Sequence, residues 1–188
     1  ISTTGTFKVI RHLVAIDGGN PEGNLVKGLD SFLYGMTFFN SRIFKISPNG
    51  AFTILKTLNA TTEGANPSGS LVLGKDGNFY GTCRAGGTFN RGTIFKITPA
   101  GIFTVLKHLN LTTDGGYPQG NLVQASDGNF YGMNSSGGTN NAGNIFRISP
   151  TGVYTVIRQL NLLADGGAPF GSLIVLKTIN LVANPQIL

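Results

Sequence analysis

Apolar and polar positions alternate along this chain in short bursts with the two-residue period of strands, broken by turn residues. Four bursts follow one another in the stretch from Asn121 to Leu160: "NLVQAS", "NFYGM", "NIFRIS" and "VYTVIRQL". Asp127-Gly128 joins the first two and is a strong hairpin signal. "SPTG" joins the last two with a Pro- and Gly-bearing turn. A glycine-rich loop, "NSSGGTNNAG", separates the hairpins. The pattern predicts four antiparallel strands and no helix.

The same pattern recurs. "KDGNFYGTCRAGGTFNRGTIFKITPAG" begins at Lys75, and its counterpart begins at Ser126, 51 residues later. One unit covers 117–167, another 65–116, and an earlier one 20–64 with a shortened middle loop. A fourth copy is split, its end in 1–19 and its beginning in 168–188. Four strands in about 40–50 residues is the signature of a β-propeller blade. A parallel solenoid ranks second, because its coils are shorter and lack hairpin turns. The expected fold is all-β, a propeller of four-stranded blades. Ile1 aligns with Ile148, so the sequence opens inside a unit's third strand. Two arrangements satisfy that phase: a four-bladed ring closed by pairing Thr6–Leu13 with the C-terminal segment, or a stretch of a larger propeller.

The motif "DGGYPQGNLVQASDGNFYG", with the following "GG" and "GTIFKITPAG" of the preceding unit, resembles the GloVer tandem-repeat proteins, extracellular bacterial proteins with choice-of-anchor sorting. The resemblance covers nearly the whole chain. It implies a secreted or surface-attached repeat protein and transfers no catalytic residue.

Composition sharpens this. Only 12% of the 188 residues are charged, about half the usual share, and the 28 glycines are roughly twice the usual number. That profile suits turn-rich β-structure. The formal charge is +6. Its spacing argues against a nucleic-acid groove, because Lys45, Lys96 and Arg147 share one repeat position and Arg11, Lys56, Lys107 and Arg158 another. A groove would cluster its charge and interleave stacking aromatics. The second set lies on the fourth, outer strand, where such cations read as guards against strand addition. The single cysteine, Cys83, excludes an internal disulfide and a thiolate metal site, and reads as a buried, inert thiol. No apolar run is long enough for a membrane-spanning helix.

Candidate chemistry is sparse. Asp17, Glu63, Asp114 and Asp165 share one position before a Gly. They read as turn caps, or else as a ring of carboxylates around a central channel that holds calcium. Asp30, Asp76 and Asp127 belong to the first hairpin turn. His12 and His108 are the only histidines, at corresponding fourth-strand positions with no local nucleophile. A glycosidase needs two carboxylates with distinct roles, and the repeat carboxylates are equivalent. Phe79-Tyr80 and Phe130-Tyr131 read as core between blades, whereas Phe89 and Tyr117 fall in loops and are placed to stack on sugar rings. Asn59, Asn110 and Asn134 open acceptor sequons, which function only in a glycosylating system.

The expectation is a secreted or cell-surface propeller module for display, adhesion or assembly, with no catalytic residue and no resident cofactor. Its partners would be copies of itself or other surface proteins. The alternative is a lectin-like glycan binder using the loop face with Asp17, Glu63, Asp114, Asp165, Phe89 and Tyr117. A glycoside-active enzyme is third.

Overall fold

The computed structural model describes residue 5 and residues 9–174. It consists of antiparallel sheets, one within each of the three continuous repeat units. The first orders β1 (Pro21–Lys27), β2 (Leu33–Thr37), β3 (Arg42–Ile46) and β4 (Phe52–Thr57) in sequence. The second repeats this with β5 (Ala65–Leu73), β6 (Phe79–Ala85), β7 (Thr93–Ile97) and β8 (Phe103–His108). In the third, the first strand is broken into β9 (Gly116–Pro118) and β10 (Val123–Gln124). Both halves pair with β11 (Phe130–Ser136), followed by β12 (Asn144–Ile148) and β13 (Tyr154–Gln159). Among the described residues the only helical piece is one 3-10 turn, Ala15–Asp17.

The hairpins form because their turn residues satisfy the chain locally. Gly74 and Asn78 close the first turn through a backbone bond of 2.8 Å, with Gly77 in the left-handed region and Asp76 Oδ1 accepting from Asn78 N. The second turn closes from Thr98 N to the Ile102 carbonyl. Gly81, mid-strand in the "FYG" motif, is required by packing. A Cβ there would lie 2.6 Å from Cζ of Phe95 on the adjacent strand, and Gly35 and Gly132 face Phe44 and Phe146 in the same way.

Packing between sheets makes the core. Tyr34, Met36 and Ile43 of the first sheet bury against Leu71, Phe79, Phe95 and Ile97 of the second. Tyr80 and Ile94 of the second bury against Leu122, Phe130, Phe146 and Ile148 of the third. Rings stack across both interfaces at 4.0 Å, Tyr34 on Phe79 and Tyr80 on Phe130. Phe79 and Tyr80 therefore face opposite neighbours, and both are fully buried. Each such side chain contributes roughly 1.5–3 kcal/mol by burial, and each ring pair about 0.5–1.5 kcal/mol more.

First strands of successive sheets meet more closely than side chains allow. A Cβ on Gly69, at φ +74°, would lie 2.5 Å from the Gly120 carbonyl oxygen, and Gly23 and Gly120 would overlap the next glycine's carbonyl likewise. Beside this stack runs a ladder. Asn24 N donates to Ser70 Oγ (2.7 Å), Ser70 N to Asn121 Oδ1 (2.6 Å) and Asn121 N to Ser172 Oγ (2.8 Å). The first strands thus form the inner edge of the array and β4, β8 and β13 the outer edge.

The expected N-terminal strand Thr6–Leu13 is not formed where it is described: residues 9–14 run without strand pairing, and 6–8 lie outside the described residues. Residues 171–174 are likewise not in a strand, and the closing segment beyond them lies outside the described residues.

Candidate functional site

The two charged rows, which the sequence suggests have separate roles, meet in space. Arg11 pairs with Asp17 (2.8 Å), Lys56 with Glu63 (2.6 Å), Lys107 with Asp114 (2.9 Å) and Arg158 with Asp165 (2.6 Å). Each carboxylate also accepts a backbone N–H at the start of its own turn, from Val14, Asn59, Asn110 and Asn161. The Arg11 guanidinium holds the Asp17 carboxyl below the usual range, and Arg158 does the same for Asp165. The acids are therefore bound back to the outer strand, and do not ring a central channel as one reading expected. Each cation of the first three pairs also lies over an aromatic of the next outer strand. Arg11 is 4.8 Å from the Phe52 centroid, Lys56 5.7 Å from Phe103, and Lys107 5.1 Å from Tyr154. One side chain thus ties turn, strand and neighbouring sheet together. Guarding the edge against strand addition is not its only role.

The hairpin acids have a different partner. Asp30, Asp76 and Asp127 accept from the hydroxyls of Tyr34, Tyr80 and Tyr131 at 2.7, 2.7 and 2.8 Å. At Asp127 the Asn129 side chain and the Tyr131 hydroxyl lower the carboxyl. At Asp76 burial pushes the other way, and the bonds from Asn78 and Tyr80 outweigh it. Burial, with the Asp76 bond, raises the Tyr80 hydroxyl above its ordinary range. A carboxylate held ionised beside a neutral phenol is a structural clasp between the turn and the strand that follows it.

The remaining candidates separate. Cys83 is fully buried, and burial pushes its thiol up to about 12. His108 Nδ1 accepts from Thr88 N at 3.3 Å, a place taken by Gln159 Oε1 and Thr139 N in the third sheet. Asn59 is exposed and Asn110 half-buried, both capping the turns that follow them. Asn134 is not a surface acceptor. It is fully buried at the register position of Cys83, its Nδ2 directed at the Asp114 carbonyl and at Asn144 Oδ1. Its Oδ1 has no protein partner. Among the described residues no three His, Cys, Asp or Glu side chains gather as metal ligands.

Phe89 and Tyr117, read together from sequence, do not share a cavity. Phe89 is half-exposed at the tip of the glycine-rich loop. Tyr117 lines a cleft of about 260 Å³ with Arg84, Gln119, Ser135, Ser136, Ala168 and Phe170. It adopts φ +55°, a left-handed conformation held by Asn20 and Asn66 at the same repeat position. Asn tolerates that region, whereas Tyr there costs roughly 1–2 kcal/mol. The ring is held by Arg91, which donates to its hydroxyl and lies 5.3 Å from its centroid. Arg84, exposed on the rim, makes no hydrogen bond or ion pair among the described residues. Arg84 and Gln119 carried no signal in the repeat pattern. They are visible only as departures from it, where Ser135 and Ser68 stand in the neighbouring units.

Four-stranded antiparallel sheets, stacked face to face with inner strands converging and outer strands spreading, define the β-propeller class. The chain belongs to the Gloeobacter/Verrucomicrobia repeat family, whose model matches residues 1–184. No curated protein is similar in sequence. Among solved structures, a virginiamycin B lyase from Staphylococcus aureus aligns with a TM-score of 0.60 at 20% identity, covering 80% of this chain and 44% of the lyase. A nidogen/laminin complex aligns at 0.57 and 21%, covering 80% and 51%. A gluconolactonase from Xanthomonas campestris aligns at 0.55 and 14%, covering 77% and 49%. At these identities the likeness is one of fold. The chain spans about half the length of these proteins.

Proposed function

We propose that this chain is a non-catalytic propeller module of a secreted or cell-surface protein, used for display, adhesion or assembly. The observation that supports this is the consumption of its polar rows by its own fold. Each turn acid faces its own cation, each hairpin acid its own tyrosine, and His108 the Thr88 amide. Hydrolytic chemistry would need a carboxylate or imidazole free to move a proton, and the two repeated acid rows are held by the fold; His12 and Glu22, both exposed, stand apart from them. No helix among the described residues is long and apolar enough to cross a membrane. Surface biotinylation of the source cells, followed by an antibody against this chain, tests the location. Labelled protein is expected, and protein recovered only from the cytosol would sink the proposal. Asp114→Asn tests the structural role of the acids: it should lower stability and leave partner binding unchanged.

A second reading, glycan recognition on the loop face, is favoured by the Tyr117 ring beside a cleft with amide, hydroxyl and guanidinium groups. The left-handed backbone there is shared by Asn20, Asn66 and Ala168, so what is particular to this unit is the aromatic ring. Profiling the chain against a panel of polysaccharides tests it.

A further inference from the structure

The cleft at Tyr117 carries more than a general affinity for sugars. Repeat positions that hold the fold keep their residue type from unit to unit: the inner glycine, the hairpin Asp, the outer cation. Those at the cleft do not. The position of Arg84 is Phe38 in the first unit and Ser135 in the third, and that of Gln119 is Glu22, Ser68 or Phe170 elsewhere. The variation comes together at one place, where Arg84 of the second sheet, Tyr117 and Gln119 of the third unit and Phe170 of the segment after it line one cleft.

From these contacts we infer that this cleft binds an acidic sugar, a hexuronate unit of a polysaccharide; the inference rests on the glycan-binding reading. Arg84 is the group that selects the charge. Every other described arginine except Arg147 has a partner: Arg11 and Arg158 pair with carboxylates, Arg42 donates to the Ile16 carbonyl, and Arg91 to Tyr117. Arg147 stands across from Tyr131 in the sheet and acts on the Asp127–Tyr131 clasp. Arg84 instead presents a free planar fork that matches a carboxylate. One unpaired cation suits the single charge of a uronate better than a doubly charged phosphate. Phe170, 65% exposed, and the Tyr117 ring offer apolar faces for the C–H side of a pyranose. Gln119 Nε2 donates to Ser135 Oγ (3.3 Å), which leaves its carbonyl oxygen, with the Ser136 hydroxyl, for ring hydroxyls. A cleft of about 260 Å³ lies just under the usual ligand range of about 300–1,000 Å³, which suits a single sugar ring of a longer chain.

Titration calorimetry with oligogalacturonate and with neutral galacto-oligosaccharide of equal length tests this. The variants come from the protein's own repeats, Arg84→Ser as at Ser135 and Tyr117→Asn as at Asn66, so both keep the fold, with melting curves as the check. The acidic oligomer is expected to bind and the neutral one at least tenfold more weakly. Arg84→Ser should weaken acidic binding about tenfold or more, and Tyr117→Asn several-fold. Rising salt should weaken it further. Equal binding of both oligomers, unchanged by Arg84→Ser, would overturn the acidic assignment and leave the glycan reading standing. Binding of neither would remove both.

Discussion

The inner and outer edges of these sheets solve opposite problems with the same chain. At the inner edge the backbones nearly touch, and only glycine fits: a Cβ on Gly69 would sit 2.5 Å from the Gly120 oxygen. In the middle the gap is one ring thick, and Tyr34–Phe79 and Tyr80–Phe130 fill it at 4.0 Å. At the outer edge the sheets have spread, and a Lys or Arg reaches across to an aromatic centroid 4.8–5.7 Å away. Each repeat is thus a size gradient, from no side chain through rings to long flexible cations. Position along the repeat corresponds to distance from the axis. The inner edge has no tolerance because its contacts are backbone on backbone. The outer edge has slack because its contacts end in flexible stems.

The comparison predicts a graded loss on mutation. Gly69→Val combines positive φ with a backbone clash and should cost 3 kcal/mol or more, on the order of the largest single-site losses, read from denaturant melts. A variant as stable as the parent would refute the inner-edge contact. Phe95→Ala opens a cavity at a fully buried site and should cost about 3–5 kcal/mol by the same measurement. Lys107→Ala removes one partly exposed ion pair and one cation–ring contact and should cost only about 1 kcal/mol. A loss at Lys107 equal to that at Phe95 would show that the outer edge is as tightly coupled as the middle.

Acid should loosen the outer turns and hairpins without a sharp threshold. The Asp17, Asp127 and Asp165 carboxyls are held below their unfolded value of about 3.9. Their contribution is present above that value and is lost as pH falls through the folded ones. Melting temperature should therefore decline below about pH 4 and stay level from there to neutrality. The smallest effect is expected from calcium, since each turn acid already has a cation. A melting temperature that rises by several degrees on adding calcium would mean that the pairs open to a metal.

The hairpins, their turn residues and the opposite facing of Phe79 and Tyr80 were all legible in the sequence, because each follows from a local period of two and from glycine geometry. Pairing between the charged rows was not, although its signal was present. Lys56–Glu63, Lys107–Asp114 and Arg158–Asp165 each stand seven residues apart, across a turn that folds back on its strand. Reading the rows by repeat position separated partners that spacing within a unit would have joined. Asn134 opens an acceptor sequon, a triplet that says nothing of burial. Its register with Cys83 places it in the interior. The inner glycine stack was invisible, since nothing local distinguishes a glycine needed for a turn from one needed by another strand 51 residues away.

The ladder along the inner edge links residues 46 positions apart at its first rung and 51 at the next two. A five-residue difference, which falls in the connection between the second and third strands of the first unit, leaves the rungs in register. The array therefore keeps its geometry without keeping that loop's length. For an engineer, the loop after Ala85 or after Ser136 is a graft point, where a foreign peptide would be held at a known radius and angle by strands that do not sense its size. Within this chain, the first unit already carries the shorter version of that loop on the same inner ladder.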